Sequence, residues 1–344
     1  MEKTDIKSLN LKELQELLVD MGEKPFRGRQ IYVWLHQRAA SSFEDMTDIS
    51  KKLREALKDR CELVTLHKEA VQESKLDGTR KYLFALPDGN MIESVLMRYH
   101  HGNSVCISSQ AGCRMGCRFC ASTLDGLVRN LTPGEMLDQI YRIQADIGER
   151  ISNVVVMGIG EPLDNYENLL KFIEMLSDEH GLHISQRNLT VSTCGIVPNM
   201  RKLAEEKLQI TLALSLHASD QEMRKKLMPV ANKYELSEVL SACKYYFEKT
   251  GRRITLEYAL VGGINDSDTA AEELAGLVKG FGCHINLIPV NPINERDYVQ
   301  SGPDVIRNFK NKLEKYGINV TIRREMGRDI DGACGQLRKH YAER

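Results

Sequence analysis

The apolar residues of the first 60 positions recur at helical intervals. Leu11, Leu14 and Leu18 are spaced so that they share one face of a helix. An amphipathic helix of this kind buries its apolar face against a neighbouring element. Residues 1–60 are therefore predicted to form an N-terminal helical domain.

Between residues 61 and 100 the pattern changes from helical spacing to runs typical of strands. Positions 82–86 (YLFAL) and 92–97 (IESVLM) flank the sequence PDGN at 87–90. Proline and glycine next to Asp and Asn are typical of a tight turn between two antiparallel strands. This segment is predicted to be a small β-hairpin extension that connects the helical domain to the rest of the chain.

After residue 100, short apolar runs alternate with amphipathic stretches of helical length. The predicted strands are 105–108, 153–157, 189–193, 210–216, 254–260, 285–290 and 320–323. The predicted helices lie near 133–149, 165–179, 198–207, 235–249, 268–281 and 303–316. Such alternation implies an α/β protein with a parallel sheet. Six strand–helix units and a closing strand predict a partial (β/α)6 barrel over residues 101–344, because a complete barrel has eight units.

Composition and charge narrow the classes of function. The chain has 344 residues, enough for about two domains, with 47 Lys and Arg against 48 Asp and Glu. A formal charge of −1 excludes a globally basic nucleic-acid-binding protein, so any contact with nucleic acid must be a local patch. No apolar run reaches the roughly 18 residues that a membrane span needs, and the first residues do not resemble a signal peptide. We therefore expect a cytoplasmic protein that does not associate with membranes.

The strongest chemical signal is a group of three cysteines. Cys113, Cys117 and Cys120 lie directly after the first predicted barrel strand, in a chain with nine cysteines. An odd number of cysteines argues against a secreted disulfide framework and favours metal or thiol chemistry. Structural zinc normally takes four ligands, whereas three thiolates on a 4Fe–4S cluster leave one iron open for a small molecule. The spacing favours the cluster, with zinc and inert packing thiols as the alternatives.

The CxxxCxxC spacing resembles that of the radical S-adenosylmethionine (SAM) superfamily. Nearly the whole chain resembles the RlmN/Cfr family of RNA adenine methyltransferases. The motifs that carry this resemblance are CISSQAGC (106–113), MGIGEPL (157–163), STCGIVP (192–198), LSLH (214–217), KLMP (226–229) and DIDGACGQ (329–336). Those in the barrel region fall mainly at the carboxyl ends of predicted parallel strands, where the active sites of βα barrels assemble.

The resemblance implies a cofactor site of radical SAM type. It assigns a 4Fe–4S cluster to the three cysteines and binding of the SAM amino and carboxylate groups to the open iron. The residues that it assigns to SAM are Gly160, Glu161, Ser192, Ser215, Leu216, His217 and Asn291. From the residues alone, Glu161 is also compatible with an exposed loop carboxylate, and Asn291 before a proline is also typical of a turn.

The resemblance also implies three catalytic residues. It assigns Cys334 as the carrier of a methyl group, Cys106 as the thiol that releases the product, and Glu93 as a proton acceptor. Two SAM molecules are then used per turnover, one to methylate Cys334 and one to generate a radical, and release leaves a disulfide between the two thiols. From the residues alone, Cys106 is also compatible with a buried core thiol, and Glu93 with a solvent-facing strand residue. The cysteines interpreted as packing residues are Cys61, Cys194, Cys243 and Cys283.

The implied substrates are 23S rRNA and tRNA, from which an adenine must be extracted to be methylated. The implied partner is an electron donor such as flavodoxin or ferredoxin, and the protein is expected to be a monomer. The candidate phosphate contacts are Lys24, Arg27, Arg29, His36 and Arg38 near the N-terminus, and Arg323, Arg324, Arg328, Arg338 and Lys339 near the C-terminus.

Two other functions stay open from the sequence. The Gly-Glu-Pro sequence at 160–162 resembles the branch of the family that methylates adenine C2, whereas the Cfr branch, which methylates C8, resembles Gly-Glu-Ala there. The second alternative is a noncatalytic, metal-binding RNA-binding protein that uses the N-terminal helices.

Overall fold

The computed structural model describes residues 3–280, 282–291, 297–330 and 335–342. Its helices are α1 (Leu11–Asp20), α2 (Phe26–His36), α3 (Lys51–Arg60), α4 (Pro133–Ile147), α5 (Tyr166–Ser177), α6 (Val197–Glu205), α7 (Gln221–Leu227), α8 (Leu236–Thr250), α9 (Asp268–Val278), α10 (Pro303–Lys315) and α11 (Gln336–Ala342). Its strands are β1 (Thr4–Asp5), β2 (Cys61–Glu62), β3 (His67–Glu73), β4 (Arg80–Ala85), β5 (Met91–Tyr99), β6 (Gly102–Ile107), β7 (Gln110–Gly112), β8 (Leu127–Asn130), β9 (Ile151–Val156), β10 (Leu189–Thr193), β11 (Thr211–Ser215), β12 (Ile254–Leu260), β13 (Cys283–Pro289) and β14 (Val320–Ile322).

Ten of the described strands form one sheet, in the order β14-β13-β12-β11-β10-β9-β6-β5-β4-β3. Within this sheet, strands β6, β9, β10, β11, β12, β13 and β14 pair in parallel with their neighbours in that series. Helices α4, α5, α6, α8, α9 and α10 lie between these strands along the chain. The predicted α/β fold is therefore confirmed: seven parallel strands and six connecting helices form a partial barrel.

The antiparallel extension of the sheet has one strand more than the predicted hairpin. Strands β4 and β5 form the hairpin, and β3 pairs with the other edge of β4. The sequence analysis missed β3 because its side chains (HKEAVQE) are mostly exposed or half-buried and polar, without an apolar alternation. Since β5 also pairs with β6, the extension and the barrel share one sheet.

The N-terminal helices begin and pack as their sequence suggests. At the start of α1, the Asn10 side chain accepts the backbone N–H of Glu13, and the Glu13 carboxylate accepts the N–H of Asn10. This capping box satisfies two donors that a helix N-terminus leaves without partners. Leu14 and Leu18 are fully buried, on the face that their spacing predicted.

A buried ion pair joins the N-terminal segment to the barrel. The Nζ atom of Lys7 lies 2.7 Å from Oδ1 of Asp138 on α4, and both side chains are fully buried. The other carboxylate oxygen of Asp138 accepts the backbone N–H of Leu66 at 2.7 Å. Burial lowers the pKa of Lys7, and the Asp138 carboxylate opposes that shift. One carboxylate of the barrel therefore binds both the N-terminal segment and the chain that enters the extension.

The parallel register brings polar residues of neighbouring strands together at one edge. Ser192 of β10 pairs with Ala213 of β11. Ser215 lies two residues after Ala213 on β11 and pairs with Glu257 of β12. Residues two apart in a strand point to the same face of the sheet. The two serines and Glu257 therefore share one face near the carboxyl ends of their strands.

Removing the Asp138 carboxylate should destabilise the protein strongly, because the Lys7 ammonium would stay buried without its partner. We expect Asp138→Ala to lower the free energy of unfolding by about 3–5 kcal/mol, measured by urea denaturation. The control is Glu16→Ala, which breaks the exposed Lys12–Glu16 pair and should leave the unfolding free energy nearly unchanged. Equal stability of the two variants would contradict this account.

Candidate active site at the carboxyl ends of the strands

A cavity of about 260 Å³, called here the first cavity, lies at the carboxyl ends of the parallel strands. Its lining includes all three cysteines of the predicted cluster site. The cavity also brings together six of the residues predicted to bind SAM, which are Gly160, Glu161, Ser192, Ser215, His217 and Asn291. The seventh, Leu216, is fully buried and does not line the cavity, because the residue after Ser215 in an extended chain points to the opposite face.

The loop that carries the cysteines is shaped by a glycine and by a threonine. Gly112 has a φ of 79°, and a Cβ atom there would lie 2.1 Å from the carbonyl oxygen of Gly126, so only glycine fits before Cys113. The hydroxyl of Thr123 lies 3.1 Å from the carbonyl oxygen of Cys117 and 3.0 Å from that of Cys120, and donates to them. These contacts hold the loop in a conformation that presents its thiols to the first cavity.

The environment of the thiols fits an iron–sulfur cluster. Burial raises the pKa of Cys113 to about 12 and the pKa of Cys117 well above its ordinary value, so both thiols carry protons at neutral pH until a metal displaces them. No three His, Cys, Asp or Glu side chains of the described ranges converge as ligands of a single ion. A cubane cluster instead takes one thiolate on each iron. Three separate thiols on one cavity wall meet that requirement.

The carboxylate of Glu161 is buried, so the interpretation as an exposed loop residue is wrong. Its Oε2 atom accepts the N–H of Cys194 at 2.7 Å, and Oε1 accepts the N–H of Leu163 at 3.0 Å. Burial raises the pKa of Glu161, and the bond from Cys194 opposes the rise. Next to it, Gly160 has a φ of 111°, and a Cβ atom there would lie 2.8 Å from the backbone nitrogen of Gln110. A buried carboxylate that lines a cavity is suited to a cationic amine.

Hydrogen-bond donors line another part of the first cavity. The Oγ atoms of Ser192 and Ser215 lie 3.4 Å apart. The Nδ1 atom of His217 accepts the N–H of Ala259 at 2.8 Å, and burial lowers the pKa of His217 to about 3. A neutral imidazole that accepts at Nδ1 carries its proton on Nε2, where it donates. The cavity thus offers two hydroxyls and an imidazole N–H to a bound ligand.

The first cavity is also lined by Glu257, which the sequence analysis missed, by Cys194, which it interpreted as a packing residue, and by Arg323, which it assigned to phosphate. Glu257 is buried and accepts from Nδ2 of Asn286 at 2.9 Å. Burial raises the pKa of Glu257, and the charge of Arg323 opposes that rise. Glu257 could have been found from the sequence, because it is the one charged residue of the apolar run 254–260, and a buried parallel strand holds a charge only with a partner.

A second cavity, of about 530 Å³, adjoins the first. The residues that line both are Met157, Ile288, Pro289, Asn291 and Arg323. Cys106, on β6, is buried and lines the second cavity. Three of the predicted phosphate contacts, Arg323, Arg324 and Arg328, also line this cavity, which makes its wall basic.

Glu93 is not the solvent-facing strand residue of the alternative interpretation. It is 3 % exposed, and its Oε2 atom lies 3.0 Å from Nζ of the fully buried Lys81. The same oxygen accepts the N–H of Gly335 at 2.6 Å, and Oε1 accepts the N–H of Arg338 at 2.7 Å. Glu93 therefore holds the start of α11, which follows Cys334 closely in the sequence.

Cys334 itself lies outside the described residues. None of the other eight cysteines forms a disulfide with another described residue. The disulfide expected between Cys106 and Cys334 has no support here.

The N-terminal basic run includes one residue that cannot contact phosphate. His36 is 1 % exposed, its Nδ1 atom lies 2.8 Å from the hydroxyl of Tyr141, and burial lowers its pKa to about 3. The prediction of a phosphate contact at His36 is therefore wrong, because the ring is neutral and inside the protein. Near it, the guanidinium of Arg38 stacks on Trp34 at 4.2 Å from the ring centroid. In the C-terminal group, Arg338 is mostly buried and pairs with Asp125 at 2.8 Å.

Two segments of the chain match known protein families. Residues 4–63 match the family model described as the ribosomal RNA large subunit methyltransferase N-terminal domain, and residues 107–275 match that of the radical SAM superfamily. None of the described helices is long and apolar enough to cross a membrane.

Relatives match along the full chain. A protein of Lachnospira eligens named probable dual-specificity RNA methyltransferase RlmN is 66% identical over 99% of this chain and 97% of its own. A protein of the same name from Lachnoclostridium phytofermentans is 63% identical over 100% of this chain and 96% of its own. The crystal structure of a radical SAM methyltransferase from Sphaerobacter thermophilus superposes with a TM-score of 0.93 at 42% identity, covering 97% of this chain and 98% of that one.

The buried His36 should make stability depend on pH. Below pH 6.5 the ring takes up a proton in the unfolded chain, whereas in the folded protein it does so only near pH 3, so stability falls as the pH is lowered through this window. Between pH 7.5 and 5, His36 should account for a loss of about 2 kcal/mol in the free energy of unfolding. We expect His36→Phe to remove that part of the pH dependence, measured by urea denaturation across the pH range.

The control for this experiment is His101→Gln, because His101 is exposed in the folded protein. This variant should keep the pH dependence of the wild type. A His36→Phe variant with the wild-type pH dependence would show that the ring titrates in the folded protein as it does in the unfolded chain.

Proposed function

Because the chain belongs to the RlmN family of radical SAM RNA methyltransferases, we propose that it methylates C2 of adenine in both 23S rRNA and tRNA. The dual specificity in the names of its relatives supports the two RNA substrates. Pro162, which follows Gly160 and Glu161 as in the C2 branch of the family, supports the choice of carbon. Proline fixes φ at this position and so stiffens the loop that bears Glu161.

The observation that carries the proposal is the shared wall between the two cavities. The cysteine loop and the residues suited to SAM line the first cavity, and Cys106 lines the second, with Met157 and Asn291 between them. A reactive species formed in the first cavity therefore has a short route to a base held in the second. The basic residues around the second cavity suit an extruded nucleotide with its phosphates.

In this proposal the residues of the first cavity bind and orient SAM. Glu161 accepts from the amino group, and Ser192, Ser215 and the Nε2–H of His217 donate to its oxygen atoms. When bound, the cluster supplies the single electron that cleaves SAM to a 5′-deoxyadenosyl radical. Much of the lining is apolar, which favours displacement of water from the cavity when SAM binds.

Two thiols have separate roles in methyl transfer: Cys334 carries the methyl group and Cys106 releases the product. In the proposal, Cys334 receives a methyl group from one SAM, with S-adenosylhomocysteine as the leaving group. The 5′-deoxyadenosyl radical from a second SAM takes a hydrogen atom from this S-methyl group, and the resulting carbon radical adds to adenine C2. The adduct then loses the C2 proton and one electron, which the oxidised cluster would accept, and the ring becomes aromatic again. Cys106 then attacks the sulfur of Cys334, which forms a disulfide. The electron pair of the broken carbon–sulfur bond stays with the carbon on adenine, which takes up a proton and becomes the new methyl group.

Glu93 accepts the C2 proton in this proposal. Its contacts with Gly335 and Arg338 keep the base close to the chain that follows Cys334. A small one-electron donor such as flavodoxin or ferredoxin supplies the reducing electron, and we further propose that the protein works as a monomer in the cytoplasm.

The proposed carbon is tested by the modified nucleoside itself. We expect RNA treated with the reconstituted enzyme, SAM and a reductant to give 2-methyladenosine as the sole methylated product, identified by mass spectrometry against 2-methyl and 8-methyl standards. Predominant 8-methyladenosine would move the assignment to the C8 branch. No methylated nucleoside from either RNA, with an enzyme that cleaves SAM, would refute the substrate class.

The role of Cys106 predicts a trapped intermediate. Without this thiol, addition to the base can proceed but release cannot, so Cys106→Ala should accumulate RNA joined covalently to the protein through Cys334. Denaturing gels with labelled RNA detect such an adduct. The matched control is Cys243→Ala, which removes a buried thiol that lines neither cavity and should turn over without an adduct. Free methylated RNA from the Cys106 variant would rule out its role in release.

A further inference from the structure

One arginine beside the cysteine loop is buried without a charged partner. Arg224, on α7, is 0 % exposed. Its Nη2 atom donates to the carbonyl oxygen of Cys194 at 2.7 Å, whereas Nε and Nη1 have no hydrogen-bond partner among the described residues. None of the ion pairs formed between described residues includes Arg224. The ionisable groups that lie near it are the thiols of Cys117, Cys194 and Cys243.

Such an arginine is costly in the absence of an anion. A guanidinium does not lose its proton in proteins. A charge taken out of water is tolerated only when it is paired and hydrogen-bonded, and an unpaired one costs several kcal/mol. The N–H donors on Nε and Nη1 of Arg224 therefore indicate that an anion belongs beside them.

The helix that carries Arg224 packs directly under the cysteine loop. The N–H of Arg118 donates to the carbonyl oxygen of Leu227, the last residue of α7, at 2.9 Å. A Cβ atom at Gly116 would lie 3.4 Å from the ring of Pro229. The side chain of Cys117 packs against the buried cluster of Cys194, Leu227 and Met228. Cys117 and Arg224 therefore both lie next to the group formed by Cys194, Leu227 and Met228.

We propose that Arg224 provides the positive charge that balances the iron–sulfur cluster at Cys117. This inference rests on the cluster of the proposed function. Three thiolates and a cubane core of charge 2+ give a net charge of −1, and uptake of one electron gives −2. A fixed positive charge stabilises the reduced form more than the oxidised form. Arg224 is therefore a positioning residue that acts through Cys117, and it raises the reduction potential of the cluster.

The test compares the reduction potential of the cluster in three proteins. Wild type, Arg224→Met and Arg224→Lys are reconstituted anaerobically with iron and sulfide, and the reduced cluster is followed by EPR during a titration with dithionite. We expect Arg224→Met to lower the ratio of reduced to oxidised cluster at a fixed potential about tenfold, which corresponds to ~59 mV for one electron. Arg224→Lys keeps the charge and should restore most of the difference.

Iron retention gives a second readout that separates charge balance from a merely structural role. Loss of the hydrogen bond to the Cys194 carbonyl affects the loaded and the metal-free protein alike, so it cancels when the two are compared. If Arg224 balances the cluster, Arg224→Met should destabilise the loaded protein more than the metal-free protein and should release iron faster to a chelator. The control is Arg252→Met, which removes a half-buried arginine bonded to Thr211 and should leave the potential unchanged.

The outcomes distinguish this inference from the proposed function. A wild-type protein that takes up no cluster would overturn the cluster assignment and this inference with it. A loaded wild type whose potential and iron release are unchanged by Arg224→Met would overturn the role of Arg224 alone. Equal destabilisation of the loaded and metal-free forms by Arg224→Met would likewise show that the arginine is only structural.

Discussion

The shared direction of seven neighbouring strands is the constraint on which the rest of the structure depends. In the main sheet, β6 and β9 to β14 pair in parallel, so their carboxyl ends meet at one edge of the sheet. The loops that follow these ends are far apart in the sequence, yet they line one cavity. The antiparallel extension continues the same sheet and brings Glu93 within reach of the chain that follows Cys334. The cysteine loop, Cys106 and Glu93 are thereby connected to a single sheet.

The polar side chains of the site are buried, and a buried polar group is stable only when it has hydrogen-bond or ion-pair partners. Glu161 is held by two backbone N–H groups, and Glu93 by Lys81 and two more. His217 stays neutral because burial disfavours its charged form. Arg224 is the exception, since two of its nitrogens lack acceptors among the described residues. A buried cation with open donors beside three thiols is suited to an anionic cluster.

The sequence predicted the barrel well and the surroundings of the site less well. Strands β10 and β12 have the predicted bounds, because buried parallel strands are nearly continuous apolar runs. The cysteine loop was also evident, since three thiols at short spacing have few other uses. The burial of His36 and Glu93 was not evident, because each is buried by elements distant in the sequence, namely α4 for His36 and α11 for Glu93. The missing hydrogen-bond partners of Arg224 likewise depend on how loops pack together, which cannot be predicted from the neighbouring sequence.

The central claim is that the first cavity holds the cluster and SAM together. EPR spectroscopy of the reduced, reconstituted protein tests it most directly, because SAM bound to an open iron changes the electronic environment of the cluster. The account predicts that adding SAM shifts the spectrum of the wild type, and that Glu161→Gln, which weakens the hold on the amino group, requires more SAM for the same shift. A wild-type cluster whose spectrum is unchanged by saturating SAM would contradict it.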